Sequence, residues 1–231
     1  MIQSESQRLV DQAITSRHSI RAFLPTPIDR ADIEQMLEVA ARAPSGSNTQ
    51  PWKAYVVTGD RLKTMSQAVV NAFLDPETER QCVEEWRYYP DQWDSPYIER
   101  RRSVGLALYK LLGLGKDNKE GMKLQHARNF KFFDAPVGMI FTLDRTMNQG
   151  SWLDFGCFLQ NLMTAARGRG LDTCPQAAFN RFHSILREHA SIPNSEIVVC
   201  CLALGYADMS KIENTLISER ESVAGFTTFI D

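Results

Sequence analysis

The sequence predicts one domain of mixed α and β structure, and three observations carry that expectation. Residues 136–143 and 197–204 are continuous apolar runs, the composition of strands buried on both faces. Around them, apolar residues recur at helical spacing. No internal repeat, low-complexity segment or linker divides the 231 residues, which suffice for a substantial core.

The elements follow in chain order. Leu9, Val10, Ala13 and Ile14 form a helical stripe that ends near Ser16, and Pro25 and Pro27 mark an extended link. Asp29 is placed to cap a second helix, whose Ile33, Met36, Leu37, Ala40 and Ala41 make a buried face. Pro44 and Gly46 end it, so a polar turn lies at its C-terminus before a strand over 52–58 and a helix over 61–73. Residues 75–100 are acidic, aromatic and broken by Pro76, Pro90 and Pro96; they fit an aromatic mini-core or a functional lid. Helices are expected over 103–114 and 152–167, the latter central and closed by Gly168 and Gly170. Asn180 is expected to cap a helix through Phe182, Ile185 and Leu186. The tail from Gly205 to Asp231 is polar and aromatic-ended, and needs a surface to lie against, with a partner subunit the natural candidate.

Composition excludes several classes. A hydrophobic content of 43% and charged content of 23% are ordinary for a globular protein, and a net charge of −2 argues against a general nucleic-acid binder. The start, Met1-Ile2-Gln3-Ser4-Glu5, lacks a signal-peptide pattern, and no apolar run approaches the ~20 residues that span a bilayer. A cytoplasmic location is the expectation. The five cysteines form no C-x-x-C pair and the four histidines are scattered, so buried reduced thiols are expected and a metal centre is not. Cys200 and Cys201, adjacent in a strand, should face opposite ways. The two G-x-G runs lack the third glycine of a dinucleotide fingerprint, and no P-loop or G-x-S-x-G elbow is present.

Two segments carry the chemistry. Arg17-His18-Ser19-Ile20-Arg21 pairs arginines around a hydroxyl, a donor set suited to a phosphate. Ala43-Pro44-Ser45-Gly46-Ser47-Asn48-Thr49-Gln50-Pro51-Trp52 is a turn of small residues with donors and acceptors in fixed places. Together they point to a phosphorylated, planar cofactor. The first segment, continued by Ala22-Phe23, resembles the R-x-S-x-R-x-F start of the FMN-dependent nitroreductase family. The second resembles that family's A-P-S-x-x-N-x-Q-P-W segment. Gly170-Leu171-Asp172-Thr173-Cys174-Pro175, Leu202-Ala203-Leu204-Gly205-Tyr206 and the tail Asn214…Glu219-Arg220…Phe226 extend the resemblance, in the family's order, over nearly the whole chain.

The resemblance implies a nitroreductase-like α+β fold: a mixed central sheet flanked by helices, in a homodimer, with the C-terminal extension wrapping the partner. It implies that Arg17, Ser19 and Arg220 hold the FMN phosphate, with His18 mainly positional and Gly205 among the cofactor residues. Arg21 would sit at the flavin pyrimidine edge and favour the charge gained on reduction. Pro44, Ser45, Gly46, Ser47 and Asn48 would reach the flavin from the neighbouring subunit, with Gln50 nearby. Pro175, Gln176, Ala177 and Ala178 would form the loop over the ring, contacting it through backbone N–H groups; many members carry a Glu-Gly pair where Ala177 and Ala178 stand. Catalysis would need no protein base, because the hydride passes through the flavin. Cys174 would have no redox role. The implied activity is NADH- or NADPH-dependent reduction of a small aromatic oxidant, nitroaromatic or quinone, by ping-pong hydride transfer. Arg128-Asn129-Phe130 and Phe132-Phe133-Asp134-Ala135-Pro136 resemble the branch that includes nitrobenzoate reductases, with a roof from residues 85–130 and Arg100-Arg101-Arg102. The alternatives are flavin-dependent reductive dehalogenation and a non-catalytic FMN-binding module.

Overall fold

In the computed structural model, residues 4–230 are described; Met1-Ile2-Gln3 at the start and Asp231 at the end of the tail lie outside them. The elements run α1 (Glu5–Thr15), α2 (Arg30–Ala40), β1 (Lys53–Thr58), α3 (Gly59–Leu74), α4 (Pro76–Gln81), α5 (Tyr97–Leu111), α6 (Lys119–Ala127), β2 (Val137–Asp144), α7 (Gln149–Arg167), β3 (Asp172–Gln176), α8 (His183–Ala190), β4 (Glu196–Gly205) and a last turn, α9 (Val223–Phe226). Among the described residues, no helix is long and apolar enough to cross a membrane.

The sheet has the order β1-β2-β4-β3, and every strand pair in it is antiparallel. Its parallel element is an isolated bridge from Ser19 to Thr173, so the sheet is mixed only through the segment that carries the arginines. β2 and β4 are the central strands, buried along nearly their whole length. One face packs Phe130, Phe132, Phe179 and Phe182 with α3 and α8; the other packs α2 and α7 through Met36, Phe155, Phe158 and Leu162. Cys201 enters the first cluster and Cys200 the second, as strand alternation requires.

Gly138 on β2 is a close-approach site: a Cβ there would meet Leu62 at 2.7 Å and the Phe132 ring at 2.9 Å. Beside it, Phe132, Phe133 and Asp134 take positive φ values of 51°, 54° and 68°. Three left-handed residues in a row cost about 1–3 kcal/mol each and persist only where the surroundings hold them. Here Phe132 and Phe133 are fully buried, and the Phe133 carbonyl accepts the Phe23 N–H at 3.0 Å.

Several expectations change. β3 is a strand that includes Pro175 and Gln176, so the expected loop narrows to Ala177 and Ala178, which open the 3-10 turn Ala177–Phe182. Proline is tolerated because β3 is an edge strand. Asn180 lies inside that turn, fully buried, and caps nothing; Phe182 precedes α8 instead. α4 and α6 are helices that the sequence reading does not include, capped by the side chains of Asp75 and Asn118. Helix α5 begins six residues earlier than expected, at Tyr97. α1 forms as expected, yet it buries none of its residues: Leu9, Val10 and Ile14 are about half exposed. Exposed Ile217, Phe226, Phe229 and Ile230 continue this uncovered apolar surface along the tail.

Candidate active site

The chain leaves α1 and runs beside β3. Ile20 donates to the Thr173 carbonyl at 3.2 Å, and Leu24 to that of Tyr206 at 2.8 Å. This extended path fixes Arg17, His18, Ser19 and Arg21 against the end of the sheet. The tail returns to the same place, so these four residues share a cavity of about 40 Å³ with Val104, Leu216, Ser218 and Arg220. That volume holds a group of a few heavy atoms.

The cavity gathers three arginines and two hydroxyls, and no carboxylate of the described residues lines it. Arg220 donates to the Ser218 hydroxyl at 2.7 Å and to the carbonyls of Ser218 and Glu219. Arg21 donates to the Ser19 carbonyl at 3.2 Å. The guanidinium of Arg17 has no hydrogen-bond acceptor among the described residues. Burial and the charge of Arg220 hold Arg17 below its ordinary pKa. An arginine stays protonated under such a shift; the shift marks an excess of positive charge. His18 spans the gap to the tail, its ring nitrogens 3.1 Å from the Ser16 carbonyl and 3.0 Å from that of Asn214.

Arg21 also faces a second cavity, of about 80 Å³, with Leu108, Tyr109, Gln125, His126, Asn129 and Phe133. Gln176 ties the end of β3 to this wall by donating to the Asn129 carbonyl at 2.7 Å, while its own Oε1 is buried without a partner among the described residues. His126 stacks on Phe73 at 5.2 Å, and burial lowers its pKa, which favours the neutral imidazole at neutral pH. Burial pushes the Cys174 thiol up to about 11, so it remains protonated at neutral pH.

The remaining expected residues stand apart. Pro44, Ser45, Gly46, Ser47, Asn48 and Gln50 lie on the turn between α2 and β1, anchored to α7 by the Gly46 N–H to Asp154 at 3.2 Å. They line neither cavity. The turn is pre-shaped: Ser47, Asn48 and Gln50 all have positive φ, and the Ser45 hydroxyl accepts the Gln50 N–H at 3.0 Å. Gly205 lines neither cavity either; the space of its absent side chain is closed by Phe23 and Pro136, each 2.9 Å away. Pro175, Ala177 and Ala178 likewise touch neither cavity.

The roof expected from residues 85–130 divides in two. Its second half reaches the cavities through α5 and α6, whereas Trp86, Tyr88, Tyr89 and Trp93 do not. Trp86 packs edge-on against Trp152 and donates to the Val198 carbonyl at 2.8 Å. Tyr88, Tyr89 and Trp93 form a ring chain, with Arg101 over Trp93 at 4.9 Å, and Arg100 pairs with Glu221 at 2.5 Å. The aromatic stretch is therefore a cluster at the surface, with Trp86 and Trp93 partly buried and Tyr88 and Tyr89 about half exposed, and it lines neither cavity. The sequence reading missed Ser218, and within its 85–130 roof it singled out neither Tyr109 nor Gln125. Ser218 had a signal, since Ser218-Glu219-Arg220 mirrors Arg17-His18-Ser19.

Larger cavities lack this chemistry. One of about 610 Å³ contains Arg167 and Asp172, already paired at 2.7 Å. Another of about 650 Å³, beside Pro25, Pro27 and Leu62, is mainly apolar. Among the described residues, no group of three or more His, Cys, Asp and Glu could hold a metal ion.

Comparison with known proteins bears on this geometry. The profile described as "Nitroreductase family" matches residues 14–206. A 4-nitrobenzoate reductase of Pseudomonas putida is 41% identical over 220 residues, covering 95% of each chain. A chloronitrobenzene nitroreductase of Comamonas testosteroni is 39% identical over 222 residues, 96% of each. Among solved structures, the FMN and NADPH-dependent nitroreductase NfnB of Sphigopyxis sp. strain HMH superposes with a TM-score of 0.92 at 33% identity, covering 96% of this chain and 99% of its own. The FMN-dependent NfnB of Mycobacterium smegmatis, in complex with NADPH, gives 0.92 at 25% identity, covering 98% and 100%.

Proposed function

This chain belongs to the nitroreductase family, and on that premise we propose that it binds FMN and uses NADH or NADPH to reduce nitroaromatic acceptors, nitrobenzoate-like compounds among them, or quinones. The observation that carries the reading is the half-buried Arg17, without an acceptor, facing Arg220 in a small cavity with Ser19 and Ser218. Such a donor set lacks only a dianion. Charge-assisted hydrogen bonds contribute about 1.5–3 kcal/mol each, so these groups suffice to hold a phosphate without covalent attachment.

When bound, FMN would supply the two-electron chemistry, taking hydride from the nicotinamide and delivering it to the acceptor. Arg17, Ser19, Ser218 and Arg220 hold the phosphate. Arg21 faces both cavities, and a fixed cation there favours the negative charge of a reduced ring. Gln176, tied to the Asn129 carbonyl, would stand at the wall of the Arg21 cavity, and Tyr109, Gln125 and Asn129, which line it, would shape the acceptor side. No protein base is required, which agrees with a thiol at Cys174 that remains protonated.

The working form in this proposal is a homodimer in a cytoplasmic setting. The Pro44–Asn48 turn and Gln50 would reach the partner's flavin, and the tail would wrap the partner. Support comes from the uncovered stripe of α1 and the exposed apolar residues of the tail, the kind of surface that a partner covers. The test is reconstitution. Protein incubated with FMN should retain it at one per chain and sediment at twice the chain mass. Anaerobic NADPH or NADH should bleach the bound flavin, and 4-nitrobenzoate should restore its colour. Flavin that stays oxidised under both reductants defeats the enzymatic reading, and failure to retain FMN defeats the flavin reading itself.

A further inference from the structure

The 3-10 turn Ile212–Thr215 places two polar side chains, Glu213 and Asn214, where polar groups are rarely left: they are 5% and 1% exposed. Burying such groups is costly unless their hydrogen bonds are made, and here they are made to the two walls of the Arg21 cavity. Asn214 Oδ1 accepts the Arg21 N–H at 2.7 Å, and Asn214 Nδ2 donates to the Ala22 carbonyl at 2.8 Å and the Asp208 carbonyl at 2.9 Å. The Asn214 carbonyl faces the His18 ring. One amide thus grips the backbone on both sides of the Arg21–Ala22 peptide. Its neighbour takes the opposite wall: Glu213 accepts from Arg128, whose other nitrogen donates to Asp134 at 3.1 Å. Arg128 opens the strained turn Arg128–Asp134 that carries Asn129 and Phe133 into the cavity.

We infer that Asn214 is the positioning residue for Arg21, and that Glu213 sets the facing wall, so that the turn before the tail fixes the width and the charge placement of the site. The grip falls on backbone atoms, and among the described residues no carboxylate neutralises the Arg21 guanidinium, which donates to the Ser19 carbonyl. Backbone registration rather than a salt bridge therefore aims this cation. The same turn leads directly to Leu216, Ser218 and Arg220 of the phosphate cavity, so one pair of adjacent side chains serves both halves of the site. This inference rests on the proposal that FMN occupies the site.

The experiment reads the FMN dissociation constant and the midpoint potential of the bound flavin, at a temperature where circular dichroism shows each variant folded. Asn214→Ala should weaken FMN by up to about tenfold, the value of a neutral hydrogen bond, and shift the potential to more negative values. Arg21→Ala should shift the potential in the same direction. In the Arg21→Ala background, Asn214→Ala should produce no further shift, because one residue acts through the other. Asn214→Asp, near-isosteric but with an oxygen facing the Ala22 and Asp208 carbonyls, gives the same reading if the alanine variant fails to fold. Variants that lose thermal stability yet keep FMN affinity within about twofold of wild type and an unshifted potential, or shifts that simply add in the double variant, overturn the inference. Wild-type protein that takes up no FMN overturns the flavin reading instead, a result visible before any variant is made.

Discussion

Two arginine clusters of this molecule invite comparison. At one end of the sheet, Arg145 and Arg187 converge on Glu85, whose side chain is 7% exposed. Arg187 reaches its two oxygens at 2.7 and 3.0 Å, and the Val198 N–H adds a third donor at 2.9 Å. Around that carboxylate, Asn180 accepts the Glu85 N–H at 3.2 Å and donates to the Trp86 carbonyl at 2.6 Å. At the other end, Arg17, Arg21 and Arg220 meet around a cavity that no carboxylate of the described residues lines. The residue type is the same; the counter-charge is not. Buried charges persist when paired, so the first cluster is complete as folded and acts as a staple for the aromatic stretch. The second has no carboxylate among its described lining residues, and that excess of positive charge is what the proposed phosphate site rests on.

The largest effect should come from breaking the complete cluster. Glu85→Gln removes the charge that both arginines share. Stranding partners of a buried ion pair costs about 3–5 kcal/mol, to be read as a lowered urea midpoint by circular dichroism. FMN affinity, measured on the folded fraction, should stay near wild type. If Glu85→Gln loses FMN with unchanged stability, the roles of the two clusters are reversed.

The incomplete cluster should respond the opposite way. Arg17→Ala removes a cation already disfavoured by Arg220, so stability without cofactor should hold or rise slightly. FMN affinity, followed by flavin fluorescence, should fall by roughly tenfold to a hundredfold, the value of one charge-assisted contact. Arg220→Ala should weaken FMN similarly while leaving the sedimentation of the dimer intact. Loss of the dimer with full flavin affinity would show that Arg220 serves the interface instead.

This contrast also explains what could be read in the sequence. Arg17, Ser19 and Arg21 were legible as a donor set because they stand in one compact motif, whereas Arg220, distant in sequence, was reached only through the family resemblance. β2 and β4 were legible because strands buried on both faces must be continuously apolar. β3 was not: five residues with a proline at a sheet edge look like a loop. The stripe of Leu9, Val10 and Ile14 announced an apolar face but not its cover, since periodicity carries no information about what lies opposite. The aromatic stretch was ambiguous until Trp86 was seen on Trp152. Glu85, Asn180 and Asn214 were invisible as anchors, because a single buried polar side chain is defined by the distant backbone it meets.

Acid should sharpen the comparison by the smallest margin. Burial alone would raise the Glu85 pKa, but the Val198 N–H, Arg145 and Arg187 outweigh it and hold it below the ordinary 4.5. Glu196 is also held low, by Lys53, Thr142 and Tyr55 against its own burial. A carboxylate with a depressed folded pKa binds its proton less readily than in the unfolded chain. Its contribution is whole above the unfolded pKa and is lost as pH falls through the folded one. Wild-type stability should therefore decline from about pH 5 downward, whereas Glu85→Gln, without that titrating group, should decline less. Urea midpoints measured from about pH 7 to about pH 3 should show the gap between the two proteins narrowing. A gap that stays constant through acid would mean that Glu85 is not held by charge, and that its cluster owes its stability to packing around Trp86 alone.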